Sequence, residues 1–119
     1  MWPSRLSARQ RQGQEWERYA LEHLCRHGLM LVESNFSCKC GEIDLILRDG
    51  EALVFVEVRQ RQGRTRGGAA ASITPAKIRR LTNAAQIYLQ RFPRVPPCRF
   101  DVIAIDGERI DWLRDAIQV

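Results

Sequence analysis

No stretch of this chain approaches the roughly 20 consecutive apolar residues that cross a bilayer, so a helical membrane span is excluded. The opening segment, MWPSRLSARQRQGQEWERYA, is basic but lacks the continuous apolar core and small-residue cleavage site of a secretory signal. The cytoplasm is therefore the expected compartment. Lysine is nearly missing: of nineteen basic residues only Lys39 and Lys77 are lysines, and the rest are arginines. The four cysteines, at 25, 38, 40 and 98, stand in a chain without a secretory signature and are expected to be free thiols rather than a disulfide framework. Cys38 and Cys40 form C-x-C, not the C-x2-C of a zinc knuckle, and on a strand both would point to one face. No internal repeat or low-complexity tract is visible.

What is present suits one globular domain. The chain has 119 residues, 45% apolar and 28% charged, enough for a single core and too few for two. A net charge of +5 favours a polyanionic partner, although a solvated basic surface would give the same number.

Residues 1–12 read as a basic N-terminal arm, and 13–119 as the domain. At about 100° per residue, Trp16, Ala20, Leu21 and Leu24 form the apolar face of a first helix over Gly13 to His27. Glu15, Arg18 and Glu22 fall on the opposite side. Glu17 instead projects into the apolar sector, toward the sheet, while His23 and His27 lie on its margin as packed or snorkelling side chains rather than ligands. A weak alternation over Leu29 to Ser37 suggests an edge strand. The segment RQRQGRTRGGAAASITP is Gly-rich, basic and poor in apolar residues, as expected of a loop. Thr74-Pro75 begins a second helix running to about Gln90, with Thr74 as N-cap and Ile78, Leu81, Ala85, Tyr88 and Leu89 as its stripe. CRFDVIAID suits a strand covered on both faces, joined to the preceding strand by a right-handed crossover through that helix. Asp101 within it is expected to pair with an arginine or cap a turn. The tail ERIDWLRDAIQV is expected to give a short strand or turn and then a short helix, with Ile110 or Trp112 on the sheet edge.

The segment GEIDLILRDGEALVFVEVR sets acidic residues inside two apolar strands. An Asp49-Gly50 type I′ turn would put Arg48 opposite Glu51, Asp44 opposite Phe55 and Glu42 opposite Glu57. Period-two alternation then gathers Glu42, Asp44, Glu57 and Arg59 on one face and leaves Ile43, Leu45, Leu47, Val54, Val56 and Val58 on the other. Carboxylates this close need a cation or shared protons. Arginines such as Arg59 or Arg61 could neutralise them in a surface ladder, or they could hold a hard divalent cation such as Mg²⁺ through oxygen. Glu17, a third carboxylate approaching from an apolar helix face, favours the cation.

These residues carry a resemblance. Glu17, GEID with Asp44, the hairpin and FVEVR with Glu57 resemble the PD-(D/E)xK nuclease core. The ordered set GxxxExxAxxxL at Gly13 to Leu24, GEIDLI, VFVEVR, the helix with Lys77, and RFDVIAI is similar to the YraN-type uncharacterised family, which resembles archaeal Holliday junction resolvases. The resemblance implies an α/β, restriction-endonuclease-like fold, a mixed central sheet flanked by helices in the order α-β-β-β-α-β with a short C-terminal element. It implies a metal-dependent endonuclease acting on structured or branched DNA, or a non-catalytic nucleic-acid-binding protein on the same fold. An interaction protein docking an acidic partner is the third reading of the basic surface. Asp44, Glu57 and the Val58 carbonyl would bind Mg²⁺ or Mn²⁺, with Glu17 completing the site directly or through water and Glu42 as an outer partner. The metal would polarise the scissile phosphate and deliver hydroxide. Where the nuclease motif has lysine this chain has Arg59, which can stabilise phosphorane charge but is a poor general base. Lys77 could supply an ammonium from the side or simply face solvent. Arg5, Arg9 and Arg11 of the arm and Arg61, Arg64 and Arg66 of the loop would hold the phosphate backbone without reading sequence. A homodimer is implied by analogy alone.

Overall fold

Two helices cover opposite faces of one five-stranded sheet in the computed structural model, which describes residues 8–60 and 73–117, with the backbone only for 8–12. The order is α1 (Ala8–Arg26), β1 (Met30–Cys38), β2 (Gly41–Asp49), β3 (Ala52–Gln60), α2 (Pro75–Leu89), β4 (Cys98–Asp106) and β5 (Arg109–Leu113). The strands lie in the order β1-β2-β3-β4-β5, with β3 and β4 parallel and every other pair antiparallel. This is the mixed α/β architecture expected from the sequence.

The edge strand, the Thr74 cap and the buried fourth strand form as their residues dictate. Thr74 Oγ1 accepts the Lys77 N–H at 3.1 Å, satisfying one of the helix's orphan donors, and Pro75 occupies the position where a missing N–H costs nothing. α1 starts at Ala8, five residues before the expected Gly13, so Arg9 and Arg11 belong to the helix rather than to a free arm. Arg5, Arg61, Arg64 and Arg66 lie outside the described residues. After β5, residues 114–117 form a turn and a bend instead of the expected short helix.

Both sheet faces are core, which corrects the expectation of one apolar and one acidic face. Beneath α1, Ala20 and Leu24 meet Leu45, Leu47, Val54, Val56, Ile103 and Ile105. Beneath α2, Leu81, Ala84, Ala85 and Tyr88 meet Ile43, Ile46, Phe55, Phe100 and Val102. Alternation therefore breaks at Asp44, since Ile43 and Leu45 are two residues apart yet enter opposite cores. The hairpin register also differs from expectation: Asp49 pairs with Ala52, placing the tight turn at Gly50-Glu51, and Arg48 lies opposite Leu53 and Ile46 opposite Phe55. Gly50 takes φ +62°, a conformation that glycine adopts without penalty. The two-residue slip preserves which face each side chain takes but changes every partner.

Asp101 has the structural role its position suggested. Fully buried, its carboxylate accepts from Arg99 Nε at 3.0 Å, Trp112 Nε1 at 2.9 Å and the Asp115 N–H at 2.8 Å, tying β4 to β5 and the tail. Asp101→Ala would strand three donors around a former charge and is expected to destabilise the fold by about 3 kcal/mol, measured by urea denaturation. A loss below about 1 kcal/mol would mean that water replaces the carboxylate.

Candidate functional site

The acidic cluster is built where the β2–β3 ladder ends. Pairing runs from Asp49–Ala52 to Leu45–Val56, so Asp44 and Glu57 are the next residues on their strands. Glu57, only 2% exposed, shares the α2-side face with Phe55 and is therefore carried into the protein. Asp44 turns its side chain across to β3, where Oδ2 accepts the Val58 N–H at 2.8 Å. A side-chain oxygen thus satisfies a β3 donor beyond the last β2–β3 pair, which fixes the carboxylate's orientation.

Cations approach from two directions. Lys77, on the first turn of α2, places Nζ 3.4 Å from Glu57 Oε1 and 3.9 Å from Glu42 Oε1. Arg59 Nη1 is 3.7 Å from Glu57 Oε1. Lys77 therefore stands against the acidic cluster rather than facing away from it. Among the described residues, Glu57 Oε2 is buried without a hydrogen-bond partner. Such an orphaned oxygen costs folding free energy and marks a position that a cation or proton would satisfy.

The titration behaviour follows from this crowding. Burial, and then the neighbouring Asp44 charge, raise the Glu57 pKa to about 7 against the opposing pull of Lys77 and Arg59. Burial also raises Asp44, partly offset by its bond from the Val58 N–H and by Lys77. Glu17 reaches about 7 as well, through burial and the Asp44 charge, with a hydrogen bond from Asn35 acting in the other direction. Glu17 therefore faces the cluster as its place on the helix predicts, but beside Asn35 in a recess of about 200 Å³ also lined by Gln14, Arg18 and Ser34.

The structure thus gathers Asp44, Glu57, Glu42, Arg59 and Lys77, with Val58 alongside and Glu17 on the far side of Asp44. Among the described residues, no three His, Cys, Asp or Glu side chains stand ready-arranged around a common cation position. The donors that fit a hard cation are the Asp44 oxygen not taken by Val58 and the orphaned Glu57 Oε2, a set that would need substrate oxygens or water to complete it. Two contributors escaped the sequence reading. Asn35 adopts φ +56°, a conformation tolerated by asparagine, and an Asn inside an edge strand was its only signal. Gly41 packs so close to α2 that a Cβ there would fall on the Arg80 carbonyl, which explains the glycine at the head of GEID.

Comparison with known proteins gives the family of the chain. The model of "Uncharacterised protein family UPF0102" matches residues 16–105, a span containing Glu17, Asp44, Glu57 and Lys77. The chain belongs to UPF0102. A UPF0102 protein of Herminiimonas arsenicoxydans is 56% identical over 112 residues, covering 94% of this chain and 90% of the relative. One from Janthinobacterium is 58% identical, covering 94% and 91%. Another, from Cupriavidus taiwanensis, is 59% identical over 111 residues, covering 92% and 84%. UPF0102 membership agrees with the YraN-type resemblance read from the ordered motifs. No helix among the described residues is long and apolar enough to span a membrane.

Proposed function

We propose that this UPF0102 protein is a cytoplasmic, metal-dependent endonuclease that hydrolyses phosphodiester bonds in structured or branched DNA. The observation that carries the reading is the buried Glu57, set between Asp44 and the Lys77 ammonium, whose Oε2 has no hydrogen-bond partner among the described residues. An ion-pair ladder serving only the surface would leave neither a buried carboxylate oxygen without a partner nor the Glu17 carboxyl turned inward.

In this reading Asp44 and Glu57 hold Mg²⁺ or Mn²⁺ together with the Val58 carbonyl. The bound cation would supply Lewis acidity toward a phosphoryl oxygen and a more acidic water. Lys77 Nζ or Arg59 stabilises charge developing on the phosphate, while Arg59, always protonated, is unsuited to act as the general base. Glu17, with a pKa of about 7, is poised to hold or pass a proton at neutral pH. Glu42 orients Lys77 from the exposed side. The net charge of +5 supports backbone phosphate contacts, in which Arg5, Arg9, Arg11, Arg61, Arg64 and Arg66 take part. A homodimer would allow paired cuts.

Calorimetric titration of Mn²⁺ into the pure protein, alone and with junction DNA, tests the reading. Binding is expected in the wild type and lost in Asp44→Asn/Glu57→Gln. Lys77→Met is expected to keep metal binding but lower cleavage by about two orders of magnitude, as when one electrostatic group leaves a reacting centre. Salt-sensitive DNA binding without metal binding or cleavage in either condition would sink the nuclease and leave a non-catalytic nucleic-acid-binding protein.

A further inference from the structure

We propose that Cys38 and Cys40 form a reversible dithiol–disulfide site, oxidised within one chain by a hydroperoxide and restored by a thiol reductant. Their sulfurs lie 3.1 Å apart, a hydrogen-bonded contact between two free, partly buried thiols. The pairing of Cys38 with Gly41 leaves Lys39 and Cys40 as the two-residue connection between β1 and β2, so the turn itself brings the thiols together. The turn is anchored on both sides. Cys38 packs on the core beneath α2, and Gly41 lies against the Arg80 carbonyl.

The pair is better suited to redox chemistry than to a structural metal. Among the described residues no further His, Cys, Asp or Glu joins it to make a group of three, whereas tetrahedral zinc takes four such ligands. Cys25 and Cys98 are exposed and without a thiol neighbour among the described residues. The Cys38 thiol is shifted toward thiolate by its hydrogen bond from Cys40, assisted by the backbone around Cys40 and Gly41, which makes it the attacking sulfur.

The Cys38 thiolate attacks the peroxide, the O–O bond breaks, and the departing alkoxide takes up the proton that Cys38 had lost, leaving a sulfenic acid and an alcohol. Cys40 sulfur then attacks Cys38 sulfur, and the sulfenic hydroxyl leaves with the Cys40 proton as water. The two thiols lose two electrons and the hydroperoxide gains them. The ring closed by a C-x-C disulfide is small and strained, so reduction by thiols is easy.

The experiment treats the intact protein with hydrogen peroxide and maps thiols by peptide mass over time, in the wild type and in Cys25→Ser/Cys98→Ser. Expected is a monomer lighter by two hydrogens, with Cys38 and Cys40 lost together at least about tenfold faster than Cys25 or Cys98, and full reversal by dithiothreitol. Cys40→Ser should instead trap a Cys38 sulfenic acid that reacts with dimedone. Equal rates at all four cysteines, an intermolecular disulfide, or stoichiometric zinc retained by the pair would each overturn the proposal. The wild-type map decides even where a serine variant folds poorly.

Discussion

Glu57→Gln is expected to make the protein more stable and less active at once. At pH 8 the wild-type carboxylate is ionised in a buried position, where desolvation and the Asp44 charge outweigh Lys77 and Arg59. Removing that charge relieves the repulsion and is expected to raise the melting temperature by several degrees, corresponding to roughly 2 kcal/mol. The same substitution removes half of the proposed cation site. Cleavage of a branched DNA substrate should fall by about two to three orders of magnitude. Parallel thermal melts and nuclease assays would check the pair of effects. A variant that loses activity and stability together would show that Glu57 is chiefly a structural partner of Lys77. Sites held ready for chemistry commonly show this opposition between stability and function.

The second large effect is a pH dependence that a divalent cation should reverse. Glu57 and Glu17 both have folded-state pKa values of about 7 against an ordinary value of 4.5. Between those values the native protein binds more protons than the unfolded chain, so stability declines as pH rises from about 4.5 to about 7. Their favourable contribution is complete below the lower value and lost once pH passes the upper one. Asp44, raised by burial, acts in the same direction. Glu57 alone should account for a loss on the order of 2–3 kcal/mol, read from urea denaturation at pH 5 and pH 8. Saturating Mn²⁺ should restore about as much at pH 8, since cation present at a hundred times its dissociation constant stabilises by about 2.7 kcal/mol, and should do little at pH 5, where a proton occupies Glu57. Flat stability across this window, with no response to Mn²⁺ at either pH, would count against both the raised carboxylates and the cation site.

Much of this was legible in the sequence because local physics decided it. Thr74-Pro75 could start only a helix, the apolar run from Cys98 could only be a buried strand, and Glu17 fell into the apolar sector of α1 by arithmetic of the helical turn. The period of two correctly placed Arg59 and Glu57 together, even though the turn was assigned one residue too early, because a two-residue slip leaves faces unchanged. What could not be read was tertiary. Nothing local to Asp44 reveals that pairing of β2 with β3 ends there and that Ile43 enters the opposite core, because the partner of the Asp44 carboxylate, the Val58 N–H, lies fourteen residues away. For Lys77 the sequence left two readings, an ammonium at the site or a solvent-facing residue, because only the packing of α2 on the sheet brings Nζ to Glu57. Asn35 belongs to the site through a backbone conformation that its identity permits but does not demand.

Gly41 against Arg80 has a mechanical meaning. Backbone meets backbone at this point, with no side chain between them to act as a bearing, so the start of β2 and the first half of α2 cannot slide past one another. The distance between the strand that carries Asp44 and the helix that carries Lys77 is therefore set by main-chain atoms. Whatever enters between them must be admitted by rotating side chains, as into a fixed jaw, and its size is limited before any charge is felt.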